Sequence, residues 1–188
     1  MGYNIGMVSL GCAKNQLDAE IMLGLLDGDG HKIVASPEDA DIIIVNTCGF
    51  IESAKQESID TILEMAEYKK QECKALIVTG CLAERYNKEV LEQLPEVDGL
   101  LGVGDYDKIA EIINSTLQGE KPMIYGHKDI DPADGLPRIL TTPSYTAYIK
   151  IAEGCDNHCT YCAIPKIRGK YRSRKPEDII DEAKRLAK

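Results

Sequence analysis

Residues 41–48 read DIIIVNTC, with four apolar residues in a row and a cysteine at the end. A short apolar run without polar alternation is typical of a strand that is buried on both faces, as in a parallel sheet. Residues 74–81, KALIVTGC, repeat the pattern and again end in cysteine. Segments with helical spacing separate these and three further short apolar runs within residues 1–118. The repetition predicts an α/β fold whose N-terminal domain is a parallel sheet flanked by helices.

The pattern stops at residues 119–143, which hold four prolines and three glycines and are predicted to be a linker with one short strand. Residues 144–155, SYTAYIKIAEGC, are predicted to form a strand, and an amphipathic helix follows near the end of the chain. We therefore assign 1–118 to the N-terminal domain and 144–188 to the start of a second domain. A single strand and helix cannot close a sheet, so we expect this second domain to be truncated.

Composition and charge narrow the function. The 188 residues are 44% hydrophobic and 28% charged, as in ordinary globular proteins. No run of eighteen apolar residues and no signal-peptide pattern occur, so we expect a cytoplasmic protein without a membrane span. The net charge of −9 argues against a general nucleic-acid binder.

The charge is unevenly distributed. Residues 1–144 contain 12 Lys and Arg against 25 Asp and Glu, a net −13, whereas residues 145–188 contain 10 against 6, a net +4. Six of the ten residues in KIRGKYRSRK (166–175) are basic. This segment is either a solvated loop or a patch that meets an anion or an acidic partner.

Three cysteines of the N-terminal domain, Cys12, Cys48 and Cys81, each follow a predicted strand. Ligands of parallel α/β sheets bind outside the carboxyl ends of the strands, so these thiols can converge on one metal site. The alternative is that each is a small buried apolar residue. A glycine beside each cysteine favours the metal site, because it lets backbone approach something bulky. Cys73 precedes a strand, which predicts a structural role at the opposite edge.

A second cysteine group lies in GCDNHCTYCAIP (154–165), where Cys155, Cys159 and Cys162 are too closely spaced to pair as disulfides. Zinc sites use four ligands, and His158 is poorly placed inside the loop to be the fourth. A four-iron cluster held by three thiolates leaves one iron open for a substrate or cofactor. Tyr161 either belongs to the core or shields the cluster.

Four motifs occur in order over essentially the whole chain: SLGCAKNQLDAE (9–20), VNTCGFIESAKQESI (45–59), VTGCLAERY (78–86) and GCDNHCTYCAIPKIRGKYRSRKP (154–176). Together they resemble the radical S-adenosylmethionine (SAM) methylthiotransferases. GCAKN and TCGFIESA are similar to the branch that modifies an aspartate of small-subunit ribosomal protein twelve. Ala13 stands where that branch commonly has proline.

The resemblance implies two [4Fe-4S] clusters, one on each cysteine group. The second would bind SAM and yield a radical that abstracts hydrogen from the aspartate, while another SAM methylates a sulfide on the first. A flavodoxin or ferredoxin reductant is implied, and direct nucleic-acid binding by these residues is not expected. Arg168 and Arg174 either hold SAM or an acidic substrate group, or belong to a solvated loop. The amides of Asn15 and Asn46 either support the cysteine loops, which we expect, or hydrogen-bond cluster sulfur.

Two other functions stay open. One is the sister activity on adenosine in transfer RNA, and the other is an iron–sulfur electron-transfer module. The resembled family continues through the rest of a barrel that carries most SAM contacts. We therefore expect the 188 residues alone not to turn over.

Overall fold

The apolar runs form strands of one sheet in the computed structural model, which describes residues 2–127 and 135–187. The strands of this sheet are β1 Asn4–Ser9, β2 Lys32–Val34, β3 Ile42–Thr47, β4 Ala75–Gly80, β5 Gly99–Leu101 and β6 Met123–Ile124. They lie in the order β2-β1-β3-β4-β5-β6, and every neighbouring pair is parallel. The α/β fold and the parallel sheet are therefore confirmed.

Four helices cover the two faces of the sheet: α1 Ala13–Gly28, α2 Glu52–Ala66, α3 Cys81–Gln93 and α4 Ile109–Leu117. Alternate residues of β3 point to opposite faces, as strand geometry requires. Ile43 packs with α2 and α3, whereas Ile44 packs with α1 and α4. Every residue of β3 and β4 is buried, which explains why neither strand shows polar alternation.

Not every apolar residue of α2 lies on its buried face. Ile62 is fully buried and Met65 nearly so, whereas Leu63 is 43% exposed. Ser58 is also buried. Its hydroxyl accepts a hydrogen bond from the Cys48 backbone N–H and donates one to the Cys48 carbonyl. A polar residue therefore occupies part of the stripe that faces the sheet.

The C-terminal part contains β7 Ala152–Glu153, α5 Ile164–Arg168, β8 Arg172–Ser173 and α6 Pro176–Leu186. The amphipathic helix is confirmed as α6. The predicted strand over residues 144–155 is wrong in length, because only two of its residues pair, and they pair antiparallel with β8. Residues 144–151 are irregular, and Tyr145 and Ile151 are exposed. Sequence alternation indicates a strand only where a neighbouring strand is present to bond with it.

The predicted linker contributes to the first sheet, since β6 lies within it and pairs with β5. Residues 128–134 of that linker lie outside the described residues, and the predicted domain boundaries remain predictions. Among the described helices, none is both long enough and apolar enough to cross a membrane.

Asp41, just before β3, forms hydrogen bonds with residues at the amino ends of β1 and β4. Its carboxylate accepts hydrogen bonds from the Lys74 ammonium at 2.7 Å and from the Asn4 backbone N–H at 2.8 Å. These two hydrogen bonds lower the pKa of Asp41. An Asp whose folded-state pKa is depressed stabilises the fold above its unfolded pKa of about 3.9, and this contribution is lost as pH falls further.

We expect Asp41→Asn to lower the free energy of unfolding by about 1 kcal/mol at pH 7, because the charge-assisted bonds are weakened. The difference from the unaltered chain should shrink as pH falls below about 3.9. Urea unfolding at a series of pH values measures it, with the exposed Asp60→Asn as the control. A difference that does not change with pH would contradict the assignment.

Two candidate metal-binding sites

The sheet order places the first cysteine group at a topological switch point. The connection after β1 leads to β2 on one side, whereas the connection after the neighbouring β3 leads to β4 on the other side. Loops after such strands diverge and open a crevice at the carboxyl ends, where α/β proteins bind ligands. Cys12 precedes α1 in this crevice, Cys48 directly follows β3, and Cys81 is the first residue of α3. The structure thus brings these three predicted residues to one edge of the sheet.

Glycines let the three cysteine loops pack against one another. A Cβ on Gly11 would lie 2.8 Å from Cβ of Cys48, and one on Gly49 would lie 2.9 Å from Cα of Leu82, the residue after Cys81. Each glycine therefore allows one loop to touch the next. The contacts that they make room for are between loops of the protein, and the approach of backbone to a bulky ligand stays a prediction.

The surroundings of Cys81 change the pKa of its thiol. Burial raises the pKa of Cys81 to about 11, the Arg168 guanidinium opposes this rise, and the nearby thiolates of Cys48 and Cys12 add to it. With its pKa raised, the Cys81 thiol is protonated at neutral pH, and a metal bound there would displace its proton. All three cysteines are free, and Cys12 is exposed to solvent.

Asn15 and Asn46 hold the loops in place, as predicted. The Asn15 amide donates to the carbonyls of Leu10 at 3.1 Å and Thr47 at 2.7 Å. The Asn46 amide donates to the Asn15 carbonyl at 2.7 Å. These bonds connect the loop after β1 with the loop after β3, so the spacing of Cys12 and Cys48 is fixed by buried hydrogen bonds.

The donor set fits an iron–sulfur cluster better than a single metal ion. Within the described residues, no three Cys, His, Asp or Glu side chains are arranged around one metal ion. A four-iron cluster has a different requirement, because each thiolate binds its own iron and the sulfur atoms stand further apart. Three free thiols on converging loops supply ligands of the right type for three of the four irons.

The second cysteine group forms a loop between β7 and α5. The Cys155 N–H donates to the Gly169 carbonyl at 3.1 Å, and the Cys162 N–H donates to the Cys159 carbonyl at 3.1 Å. All three thiols are free and at least partly accessible. The core alternative for Tyr161 is wrong, since it is 88% exposed.

An open cleft separates this loop from α3. One wall consists of α3 residues that include Glu84 and Arg85, and the other contains Cys159, Tyr161 and Cys162. The cleft is wide and solvent-exposed rather than enclosed. A flexible segment of a partner molecule could reach the second cysteine group through it.

Of the two alternatives for the basic segment 166–175, the solvated loop is wrong for Arg168 and Arg174. Arg168 is 4% exposed and Arg174 is 7% exposed. Arg168 pairs with Asp18 of α1 at 3.1 Å, and Arg174 pairs with Glu182 of α6. Part of the basic segment therefore meets acidic side chains of the same chain. Binding of SAM by either arginine stays a prediction.

Lys150 and Glu153 complete the ion cluster around Arg168. Lys150 lies 2.5 Å from Asp18 and 2.8 Å from Glu153, and Arg168 lies 2.8 Å from Glu153. Burial alone would raise the pKa of Glu153, but Lys150 and Arg168 outweigh it and lower that pKa to about 2. Lys150 and Arg168 therefore share Asp18 and Glu153, and the half-exposed Lys14 ammonium also lies 3.8 Å from Glu153.

A second buried group links α1 to α6 through Arg138. Its guanidinium lies 2.6 Å from Glu20 and also pairs with Glu182. The carboxylate partners on α1 were not predicted from the sequence. The available signal was the placement of Asp18 and Glu20 inside an otherwise apolar helical stretch, where carboxylates need buried partners.

Comparison with known proteins gives the family of this chain. Residues 4–102 match the family described as Uncharacterized protein family UPF0004. The chain belongs to this family. Residues 149–188, which contain the second cysteine group, match the Radical SAM superfamily.

The chain is also similar to curated proteins named ribosomal protein uS12 methylthiotransferase RimO. It is 55% identical over 185 residues to the one from Thermoanaerobacter sp. (strain X514), covering 98% of this chain and 42% of that protein. It is 57% identical over 188 residues to the one from Clostridium perfringens (strain SM101 / Type A), with the same coverage of 98% and 42%. The chain thus spans less than half the length of these relatives.

Gly80, which precedes Cys81, should tolerate no side chain. Its φ of 93° and ψ of −156° fall in a region that only glycine adopts readily. A Cβ there would lie 2.5 Å from Asn46 Oδ1 and from the Thr47 carbonyl oxygen. We expect Gly80→Ala to lower the free energy of unfolding by about 3 kcal/mol.

The matched control is Gly28→Ala at the end of α1, where an added Cβ meets nothing within 4 Å. That change should be neutral or stabilise by up to about 1 kcal/mol. Urea unfolding of both variants measures the contrast. Equal stability of the two variants would contradict the packing of the loops described above.

Proposed function

We propose that this chain carries the iron–sulfur sites of a radical SAM methylthiotransferase that adds a methylthio group to an aspartate of ribosomal protein uS12. The observation that carries the proposal is the similarity over 98% of the chain to proteins of that name. The two separate cysteine groups support it, because this chemistry needs both a radical source and a sulfur source.

In this proposal the first group, Cys12, Cys48 and Cys81, holds one [4Fe-4S] cluster. The loops that carry these thiols are fixed by the amides of Asn15 and Asn46, so the ligands are positioned before metal binds. Positioned ligands reduce the conformational cost of binding. The buried side of the site, at Cys81, excludes water, whereas the exposed side, at Cys12, faces solvent.

The second group, Cys155, Cys159 and Cys162, would hold a cluster with one open iron, which supplies reductive cleavage of SAM to a radical when both are bound. A methylene carbon beside a carboxylate is not activated toward ionic chemistry, which is why a radical is required. The exposed thiol of Cys159 and the cleft beside it leave a path for SAM and for the substrate segment. A flavodoxin or ferredoxin would provide the electron.

A protein substrate is favoured over transfer RNA by the name of the relatives, and burial of two of the six basic residues in segment 166–175 adds to this. Lys166, Lys170 and Lys175 of that segment are exposed. Nucleic-acid affinity comes largely from Lys and Arg that neutralise phosphates. Arg168 and Arg174 are buried against carboxylates of this chain and present no such charge to solvent. Cytoplasmic location follows from the proposed ribosomal substrate and is part of the proposal.

Iron content tests the two sites. Anaerobic reconstitution should load roughly eight irons per chain, and replacing Cys12, Cys48 and Cys81 with alanine should remove about half. Alanine at Cys155, Cys159 and Cys162 should remove the other half. Cys73→Ala is the matched control, since Cys73 is buried at the opposite end of the sheet and its thiol bonds the Ala75 carbonyl. If the iron content of either triple variant equals that of the unaltered chain, the proposed site at those three cysteines is wrong.

The substrate is tested by mass spectrometry of cells with and without the gene. We expect uS12 to be heavier by about 46 Da, the mass of CH₂S, only when the gene is present. Bulk transfer RNA should be identical in both strains. A methylthioadenosine that disappears with the gene, while uS12 does not shift, would move the activity to transfer RNA. No change in either would favour an electron-transfer module.

A further inference from the structure

Arg168 reaches from the second part of the chain into the first cysteine site. Its side chain is buried, and one terminal nitrogen pairs with Asp18 and Glu153. The other terminal nitrogen donates to Asn15 Oδ1 at 2.8 Å and lies 3.8 Å from the Cys81 sulfur. A guanidinium is a rigid fork, so binding the carboxylates on one side aims the other side at the sulfur.

The backbone next to Arg168 is equally connected to the second cysteine loop. The Gly169 carbonyl accepts the N–H of Cys155, the first cysteine of that loop. Gly154 packs so closely on this segment that an added Cβ would lie 1.9 Å from the Lys170 carbonyl oxygen. One residue therefore contacts a thiol of the first site through its side chain, while its neighbour bonds the second site through backbone.

We propose that Arg168 is a positioning residue that donates a hydrogen bond to the ligand sulfur of Cys81 and raises the reduction potential of a cluster at the first site. The inference rests on the function proposed above, because it requires a cluster there. A hydrogen bond to a ligand sulfur withdraws electron density from iron, so the reduced form is stabilised.

The effect should come from the direction of the N–H group rather than from added charge. Arg168→Lys keeps the positive charge at position 168, so it leaves the balance of Lys14, Lys150 and residue 168 against Asp18 and Glu153 unchanged. An ammonium at position 168 could keep the ion pairs but has no second nitrogen to aim at the sulfur. Arg168→Lys is therefore expected to lower the potential nearly as much as Arg168→Gln.

The test isolates the first site in a background with Cys155, Cys159 and Cys162 all changed to alanine. After anaerobic iron loading, the midpoint potential is measured by a redox titration followed by electron paramagnetic resonance. Both Arg168 variants should have a lower potential than the background chain. Arg138→Gln is the matched control, because it removes another buried guanidinium that pairs with α1 and α6 and should leave the potential unchanged.

A second measurement needs no substitution at position 168. Arginine labelled with ¹⁵N should give a weak ¹⁵N hyperfine coupling to the reduced first-site cluster in pulsed paramagnetic resonance. Absence of this coupling, or potentials that do not change in the Arg168 variants, would overturn the inference and leave the proposed function standing. A background chain that binds no iron would overturn both, since the first site would not exist.

Discussion

The arrangement of this protein depends on the burial of Arg168 against carboxylates of α1. Asp18 pairs with both Arg168 and Lys150, so two cations from the C-terminal part bind one helix of the sheet domain. A buried ion must be paired, and loss of one partner typically costs 3–5 kcal/mol, so these pairs accept few alternative geometries. Their consequence is a fixed position for α5, where Ile167 packs against Cys81 and Val103. The second cysteine loop is thereby held next to the first site.

The sheet supplies the other constraint. A strand order that reverses between β1 and β3 makes a crevice at the carboxyl ends, and the residues that follow β1, β3 and β4 meet there. Three cysteines far apart in sequence become neighbours with no special local structure beyond glycines that let the loops touch. The first site is thus a product of topology, whereas the second is a product of short spacing within one loop.

These two origins explain which features could be read from the sequence. DIIIVNTC and KALIVTGC indicated buried strands because both faces of each strand are covered. Once the strands were predicted, the position of Cys48 and Cys81 at their carboxyl ends could be predicted as well. The alternation in SYTAYIKIAEGC was misleading, because pairing depends on a neighbouring strand that the segment itself does not specify. The unequal charge of the two parts left open whether residues 166–175 are a solvated loop or meet an acidic partner, and it did not indicate that carboxylates of α1 pair with Arg168. Contacts between distant side chains depend on packing that periodicity does not record.

The central claim is that two iron–sulfur sites lie side by side with Arg168 between them. Anomalous diffraction at the iron edge, from crystals of the anaerobically reconstituted chain, measures this directly. The account predicts two iron centres, one at Cys12, Cys48 and Cys81 and one at Cys155, Cys159 and Cys162, with the Arg168 guanidinium against the Cys81 sulfur. A single centre, or two centres with Arg168 directed away from Cys81, would contradict it.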